Sequence, residues 1–546
     1  MMKTDVLIVG AGPTGLMLAN QLGRRGLRPI IIDRHSGPAM QTRAMAVHAR
    51  TLEIYRKLGI SDAAVELGQV SNGANMWVGG RKKARIPFEE MGRDQSAFPY
   101  VLMLGQDDNE RLLGAHLRRW DIEVQWNTEL LALEQHSDHV VATVRDAAGA
   151  TRRILASYVA GCDGGRSAVR EMNGIGFPGA PYQHTFFVAD TVATGAMVPA
   201  ELNVYLWRDG FHLFFPMRGA NRWRVIGILP EPLRDRSGVE FEDVRPSLVR
   251  EAGADLSFQS CDWFSTYRIQ HRCTEKFRDR RCFLLGDAAH VHSPMGGQGM
   301  NTGLQDAYNL AWKLSLVVAG RADERLLDSY EAERMPVAHR LLETTDRAFR
   351  LVVSDGWLAG QFRMRVMPTV AAAAMRRPGV RRRAFQTLSQ LGIGYPKSPL
   401  SGGTDAPAEG PAAGQRFPWM HLAFRRGAPR QDLFEVLDDL RFNLLVVGQP
   451  VPDARSLGMD DLLRIHPVPL EGENVATLAE ASITGPAYYL LRPDGHVGLA
   501  GGRLDEAAVR QWFADAGLRG SRSAHAPAAR PLAAPTLALR AERKAS

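Results

Sequence analysis

The chain has 546 residues, enough for two or three domains around a sizeable core. Its 45% hydrophobic and 23% charged residues are the balance of an ordinary globular protein, which excludes a wholly disordered or collagen-like chain. No apolar run is long enough to span a bilayer, and the +8 formal charge comes from arginines spread along the chain rather than from a basic stripe with interleaved aromatics, so neither a membrane span nor a nucleic-acid partner is expected.

The strand-like run Asp5-Val6-Leu7-Ile8-Val9 starts almost at the first residue. It leaves no room for a signal peptide and predicts a cytoplasmic protein. A glycine turn, Gly10-x-Gly12-Pro13-x-Gly15, follows, then a helix over 16–25 and a second strand over 30–32. Glycine at these three positions allows a tight turn, close backbone approach to a pyrophosphate and close packing of helix on strand. The helix start adds free N–H groups and the positive end of its dipole. Asp33, followed by Arg34, closes the second strand where a carboxylate can accept from ribose hydroxyls. Strand, helix, second strand and terminal acid in register predict dinucleotide binding, without deciding between FAD and NAD.

A strand over 154–160 leads into Gly161-Cys162-Asp163-Gly164-Gly165-Arg166-Ser167. From residue 176 the texture changes to alternating patterns, as in 203–207 and 211–215, which predict antiparallel strands. Tyr205, His212, Phe214 and Tyr267 are the aromatic and polar residues expected to line a pocket there. Period-two spacing puts His212 and Phe214 on one face, and core packing is the competing reading for each. His48, further upstream, either faces the same pocket or starts a helix. The strand pattern returns at 282–285, followed by Gly286-Asp287-Ala288-Ala289-His290 and Pro294-x-Gly296-Gly297-Gln298-Gly299-Met300-Asn301. This loop opens a helix near 302–319, with Asn301 or Thr302 as caps. Such a helix start, aimed at a flavin ring, would favour the negative charge of its reduced form. Helical character continues through 328–353, with a kink expected at Pro336.

Residues 398–415 read as a Pro/Gly/Ala-rich linker. A compact unit over 416–518 follows, with strands expected at 443–447 and 487–491, and the tail 519–546 reads as disordered. The four cysteines (Cys162, Cys261, Cys273, Cys282) form no CxxC pair and read as reduced thiols. His290 and His292 alternate like metal ligands, yet no third ligand accompanies them, so no metal is expected.

Together these segments resemble the group A flavoprotein monooxygenases, the family of p-hydroxybenzoate, phenol and pentachlorophenol hydroxylases. Relatives hydroxylate aromatic polyketides or inactivate rifamycins and tetracyclines. The resemblance rests on the glycine turn at 10–15, Cys162-Asp163-Gly164, Gly286-Asp287 and the loop 294–301. Arg43-Ala44 with Arg50-Thr51-Leu52-Glu53, Gln106-x-x-x-Glu110, and Asp328-Ser329-Tyr330-x-x-Glu333-Arg334-x-Pro336 also carry it, so that it covers residues 1–345. The 416–518 unit resembles the thioredoxin-like appendage of the phenol hydroxylase branch, and without a CxxC it should be redox-inert.

The resemblance implies an α/β fold with a Rossmann-like FAD domain over 1–175 and 277–345. An antiparallel substrate-binding sheet over 176–276 interrupts it, and a helical segment over 346–397, the linker and the thioredoxin-like domain follow. It implies that Asp33 holds the FAD ribose, beside Gly10, Gly12, Pro13, Gly15 and Arg34. Arg43 and Gln106 would contact the pyrophosphate–ribityl region, with Asp163 closing it, and Asp287 beside Gly286 would bind the ribityl chain. Pro294, Gly297, Gly299, Met300 and Asn301 would border the flavin ring, Pro294 also facing the substrate. The strand-ending acid is often Glu in the family and is Asp33 here, a shorter arm that still reaches a ribose hydroxyl.

The implied activity is hydroxylation of a phenolic or polycyclic aromatic compound with O2 through a flavin C4a-hydroperoxide, in a monomer or homodimer. NADPH or NADH would be a transient electron donor, in keeping with the lack of a second glycine fingerprint. A Baeyer–Villiger or antibiotic-inactivating oxygenation stays open within the family. A flavin halogenase is disfavoured because Trp-x-Trp-x-Ile-Pro is absent, 211–216 holding no tryptophan. A flavoprotein that only sequesters a ligand would show no ligand-dependent NADPH consumption.

Overall fold

The computed structural model describes residues 1–39, 44–234, 236–253, 255–292, 295–353, 357–402 and 410–520. The expectations for Arg43, Pro294 and the tail beyond 520 lie outside the described residues.

Val6, Leu7, Ile8 and Val9 are all buried, as an apolar run at the centre of a parallel sheet must be. The strand Met2–Val9 pairs in parallel with Ile30–Ile32 on one side and with Thr151–Gly161 on the other, Val9 standing opposite both Ile32 and Gly161. Val124–Gln125 extends one edge, and Cys282–Leu284 pairs in parallel with Thr151–Gly161 on the far side. Three of these strands therefore end together, at Val9, Gly161 and Leu284. Each leads into one of the glycine-containing loops, and those after Val9 and Gly161 line one crevice, the place where open α/β sheets bind ligands.

Two helices pack on this sheet. Pro13–Gly23 begins with proline in its first turn, where the missing N–H costs nothing. Gly299–Val318 crosses it so closely that a Cβ on Gly303 would stand 2.4 Å from the Thr14 hydroxyl. The 299–318 helix starts earlier than expected: Gln298 precedes it, without a side-chain cap, and Asn301 and Thr302 lie inside the first turn.

The second sheet has eight strands, in the order His290–Val291, Leu256–Cys273, Gly179–Gly195, Arg222–Ile228, Gly210–Pro216, Leu202–Trp207, Gly73–Val78, Arg81–Pro87. It thus recruits a hairpin from 73–87, outside the 176–276 stretch. Because that hairpin arrives from elsewhere in the chain, Gly73–Val78 pairs in parallel with Leu202–Trp207, and the sheet is mixed rather than purely antiparallel. The helix Phe241–Ala252 covers one face through Phe241, Val244 and Leu248. The other face turns toward the first sheet, where Phe215 and Met217 pack against its core.

After the long helix Asp328–Val353, which contains Pro336, come shorter turns Trp357–Gln361, Phe362–Val366, Met367–Ala374 and Pro378–Leu388. Both described ends of the 398–415 segment are tied down. Ser398 donates its hydroxyl to Glu333, and the Gly414 N–H donates to the Val497 carbonyl. The last unit has a four-stranded sheet in the order Leu463–Val468, Phe442–Val447, Ala487–Leu491, Val497–Gly501, the first pair parallel and the rest antiparallel.

A seam of ion pairs joins this unit to the rest. Asp439 accepts a two-pronged contact from Arg24 at 2.8 and 3.0 Å and the Tyr308 hydroxyl at 3.0 Å. Arg416 reaches Glu53, and Arg56 reaches Asp432. At its centre Glu333, fully buried, accepts from Arg492 at 2.6 and 3.0 Å and from Lys313 at 2.8 Å, while Arg492 also pairs with Asp494.

Candidate functional site

The crevice at the strand ends is a cavity of about 460 Å³ lined by Gly10, Gly12, Asp33, Arg34, Gln106 and Asp163, among others. Its floor is shaped by what the glycines lack. Gly10 has φ +103°, and a Cβ there would lie 2.3 Å from the Cys162 carbonyl oxygen. On Gly15 a Cβ would lie 2.0 Å from the Gly10 carbonyl oxygen, so turn and helix touch backbone to backbone. Gly12 meets nothing within 4 Å and leaves the mouth of the helix open. This is a cradle for an anion at a helix start.

The polar rim fits a dinucleotide. Asp33 accepts from the Ala11 N–H at 2.7 Å and the His35 N–H at 2.8 Å, which fixes its carboxylate at the edge of the cavity. Glu110 does the same for Gln106, accepting its amide at 2.8 Å together with the Ala39 N–H, and burial pushes the Glu110 carboxyl up. Burial also pushes up Asp163, whose buried Oδ1 has no hydrogen-bond partner although Oδ2 accepts from Val169 N–H. Asp163 belongs to the cavity wall, and an unanswered oxygen there is what a bound polar group would satisfy.

The second glycine loop sits behind this cradle. Gly286, at φ +57°, lies against Thr14, and Asp287 is exposed in the turn that follows. Gly297, at φ +63°, is pressed against Ala46, where a Cβ would come within 2.5 Å of the Ala46 methyl. Asn301 holds this contact with all of its polar capacity. Its Oδ1 accepts from the His48 N–H at 2.9 Å and the Thr51 hydroxyl at 2.7 Å. Its Nδ2 donates to the carbonyls of Ala46 and Gly297 at 2.8 and 2.9 Å. The side chain is thus spent on the protein and supports the loop from behind, instead of capping the helix. Asn301→Ala strands four partners, three of them in buried bonds, and a loss of about 1–3 kcal/mol is expected, read as a lower denaturation midpoint and faster cofactor release.

His48 completes the clamp. Its Nε2 lies 2.8 Å from the Gly296 carbonyl and its Nδ1 is buried without a partner. It precedes the helix Ala49–Leu58 in extended conformation, without a side-chain cap. Burial lowers its pKa from 6.5 to about 4, only partly opposed by the bond to Gly296. The unfolded chain therefore takes up a proton that the folded one refuses between those values, so stability falls as pH drops from about 6.5 to 4. His116, lowered by burial to about 4, adds to the same slope. His48→Gln should flatten the slope by up to about 3 kcal/mol over that window, measured by urea unfolding across pH.

A second cavity, about 980 Å³, opens where the residues before and after Gln106 meet the second sheet. From the sheet come Asp190, Met217, Arg224 and Trp263, and from the dinucleotide half Met45 and Met103. Arg224 grips Asp190 with two bonds, 2.7 and 2.6 Å, beneath the Trp263 ring at 5.5 Å. Sequence reasoning missed this pair. Its signal was a charged residue at alternate positions, 222 and 224, in an otherwise apolar strand.

Three of the expected pocket residues are elsewhere. Tyr205, His212 and Phe214 share a face, as the spacing required, but it is the face under the helix Phe241–Ala252. Tyr205 stacks on Trp77 and donates to the Ala196 carbonyl at 2.6 Å, Phe214 meets Tyr205 edge-on, and His212 contacts Glu251 of that helix at 2.9 Å. They are core, and register decides it: Arg224 pairs across the sheet with Phe215, not Phe214. Tyr267, paired with Phe186, does lie on the face shared with Asp190 and Arg224. His290 is taken by Asp306 at 2.8 Å, which also binds Arg334 at 2.6 Å. No metal-ligating cluster of three occurs among the described residues.

A family model described as an FAD binding domain matches residues 3–345. The chain is 35% identical to 6-methylpretetramide 4-monooxygenase of Streptomyces rimosus, covering 91% of each chain. It is 31% identical to pentachlorophenol 4-monooxygenase of Sphingobium chlorophenolicum, covering 90% of this chain and 93% of that one. Among solved structures, aklavinone-11 hydroxylase in complex with FAD and aklavinone superimposes with a TM-score of 0.75 at 25% identity, over 95% of this chain and 99% of that one.

Proposed function

Since the chain belongs to the class A FAD-dependent aromatic hydroxylases and is an FAD-dependent aromatic monooxygenase, we propose that NADPH or NADH reduces it and that it hydroxylates a phenolic ring of a polycyclic compound. The observation that carries this reading is a pair of cavities, one a glycine cradle lined by Gln106, the other bordered by its chain neighbours Gly105 and Asp107 and walled by both halves of the molecule. Relatives named for polycyclic substrates, 6-methylpretetramide and aklavinone, support a substrate of similar size.

Bound FAD would supply the redox chemistry: accepting a hydride, activating O2 and delivering one oxygen atom. The protein's share is positioning. Gly10, Gly12, Pro13 and Gly15 would take the pyrophosphate, Asp33 and Arg34 the ribose, and Gln106 and Asp163 the stretch beyond it. Gly286, Asp287, Gly297, Gly299 and Met300 would border the ribityl chain and ring through their backbone. The start of the Gly299–Val318 helix favours negative charge beside it. Arg224, tied to Asp190, and Trp263 would orient an electron-rich ring and keep water away. In the last unit the strand order and the lack of any cysteine support a thioredoxin-like domain without redox chemistry.

The test is NADPH and NADH oxidation by the purified yellow protein across a panel of phenols and polycyclic phenols, with O2 uptake and product mass followed together. A compound that speeds oxidation and gains the mass of one oxygen atom is the expected result. Full FAD content with no compound-stimulated oxidation would overturn the hydroxylase reading.

A further inference from the structure

The segment between Trp357 and Lys397 carries seven arginines and one lysine and not one Asp or Glu. The basic stripe that the chain as a whole lacks is concentrated here. Its inner side is built into the fold. Arg363 is fully buried and donates to the carbonyls of Trp207 and Arg208, and Gly360 lies against Arg208. Met367, Ala371 and Ala372 pack on the cluster of Phe186, Phe211 and Ile269.

The outer side is unusual for a protein surface. Trp357 is 66% exposed, Leu358 77% and Val370 57%, with Phe362 and Val366 also exposed. Positions 358, 362, 366 and 370 recur every fourth residue, so they form one stripe along the helical path. Further along the same segment stand Arg365, Arg376, Arg377, Arg382 and Arg383, all exposed and without an ion pair among the described residues, Arg382 lining a groove that also holds Asp94 and Glu480. The acidic groups of the neighbouring helix Phe88–Gly92 are Glu89 and Glu90; Glu90 is paired with Arg381 and Glu89 with Arg93.

An exposed apolar stripe marks an interaction site, and its chemistry selects the partner. Exposed apolar side chains headed by an aromatic, in a segment whose charged residues are all cations, match an interfacial helix that sinks its apolar side between headgroups while its arginines meet lipid phosphates. A second copy of the same face would bring like charges together. We infer that residues 357–383 form a docking surface for an anionic lipid bilayer, on which the protein lies without crossing it. The inner side of the same helices rests on the sheet that walls the second cavity, so docking brings the bilayer beside that sheet. The inference rests on exposure and charge and is independent of the substrate proposed above.

The experiment is flotation of the FAD-loaded full-length protein with extruded vesicles of phosphatidylcholine, with and without phosphatidylglycerol. Partition onto the phosphatidylglycerol vesicles is expected, weakened by added salt and slight on phosphatidylcholine alone. Trp357→Ser with Leu358→Ser, and separately Arg376→Gln with Arg377→Gln, should each lower it by about tenfold or more while FAD content stays unchanged. No partition onto anionic vesicles, or variants that float like the parent, would overturn the inference. So would a change of sedimentation from dimer to monomer in the Trp357/Leu358 variant without any vesicle binding, which would make the face a contact between copies.

Discussion

Gly10→Ala is expected to yield colourless protein, with FAD occupancy reduced by more than tenfold. Two separate facts lead there. At φ +103° the residue sits in a region that a side chain makes costly, about 1–3 kcal/mol by itself. The added methyl would also stand 2.3 Å from the Cys162 carbonyl oxygen, and neither neighbour can yield, since Cys162 N–H donates to Val9 and the Gly10 N–H to Ile32. Relief requires the loop from Val9 to Gly12 to move, which closes the cradle. The check is the ratio of flavin to protein absorbance after purification, with circular dichroism to confirm the fold. Wild-type FAD content in a folded Gly10→Ala protein would remove the turn from the cofactor site.

Arg492→Met should cost about 3–5 kcal/mol, the largest loss expected of any single change outside the glycine loops. The guanidinium is fully buried between Glu333 and Asp494, and its removal leaves two carboxylates facing each other, Glu333 keeping Lys313, Asn309 and Ser398 and Asp494 keeping His496 and the neighbouring Arg50. Burial alone would raise the Glu333 carboxyl, but Arg492 and then Lys313 outweigh it and hold it well below the ordinary 4.5. Asp494 is held down as well: burial, the largest single effect, would raise it, but Arg492 and His496 together outweigh that. Carboxyls depressed in the folded state stabilise it above the ordinary carboxylate range, and that contribution disappears as pH falls below it. The parent should therefore lose stability steeply on acidification, whereas in Arg492→Met that dependence should shrink or reverse. Thermal unfolding across the acid range reads both effects. A variant that melts with the parent would show that the network adds no net stability.

How much of this was legible in the sequence depends on the range of the interactions. The dinucleotide half was written locally: the glycines, Pro13 and Asp33 act within one turn, and strands expected at 30–32 and 487–491 are found with those bounds. Alternation likewise grouped Tyr205, His212 and Phe214, but it cannot say which face meets the partner layer. That was decided by the helix Phe241–Ala252, whose packing no local pattern announces. Asn301 looked like a cap because it follows a glycine loop, yet its partners are His48 and Thr51, some 250 positions earlier. Glu333 belonged to a recognised motif without an assigned role, and its main partner lies 159 residues downstream.

The ion-paired seam also bears on how such a protein can diversify. Shuffling terminal units between relatives is an easy route to novelty when the join is greasy and forgiving. Here the apolar contact of Trp312 and Leu326 with Phe442 is set among matched charges: Arg24 with Asp439, Arg56 with Asp432, Glu53 with Arg416, Glu333 with Arg492. A grafted unit lacking any one member would arrive with a buried charge unanswered. The two parts of the chain are therefore bound to be inherited as a set, and recombinants are expected to survive only when the breakpoints carry both halves of each pair together.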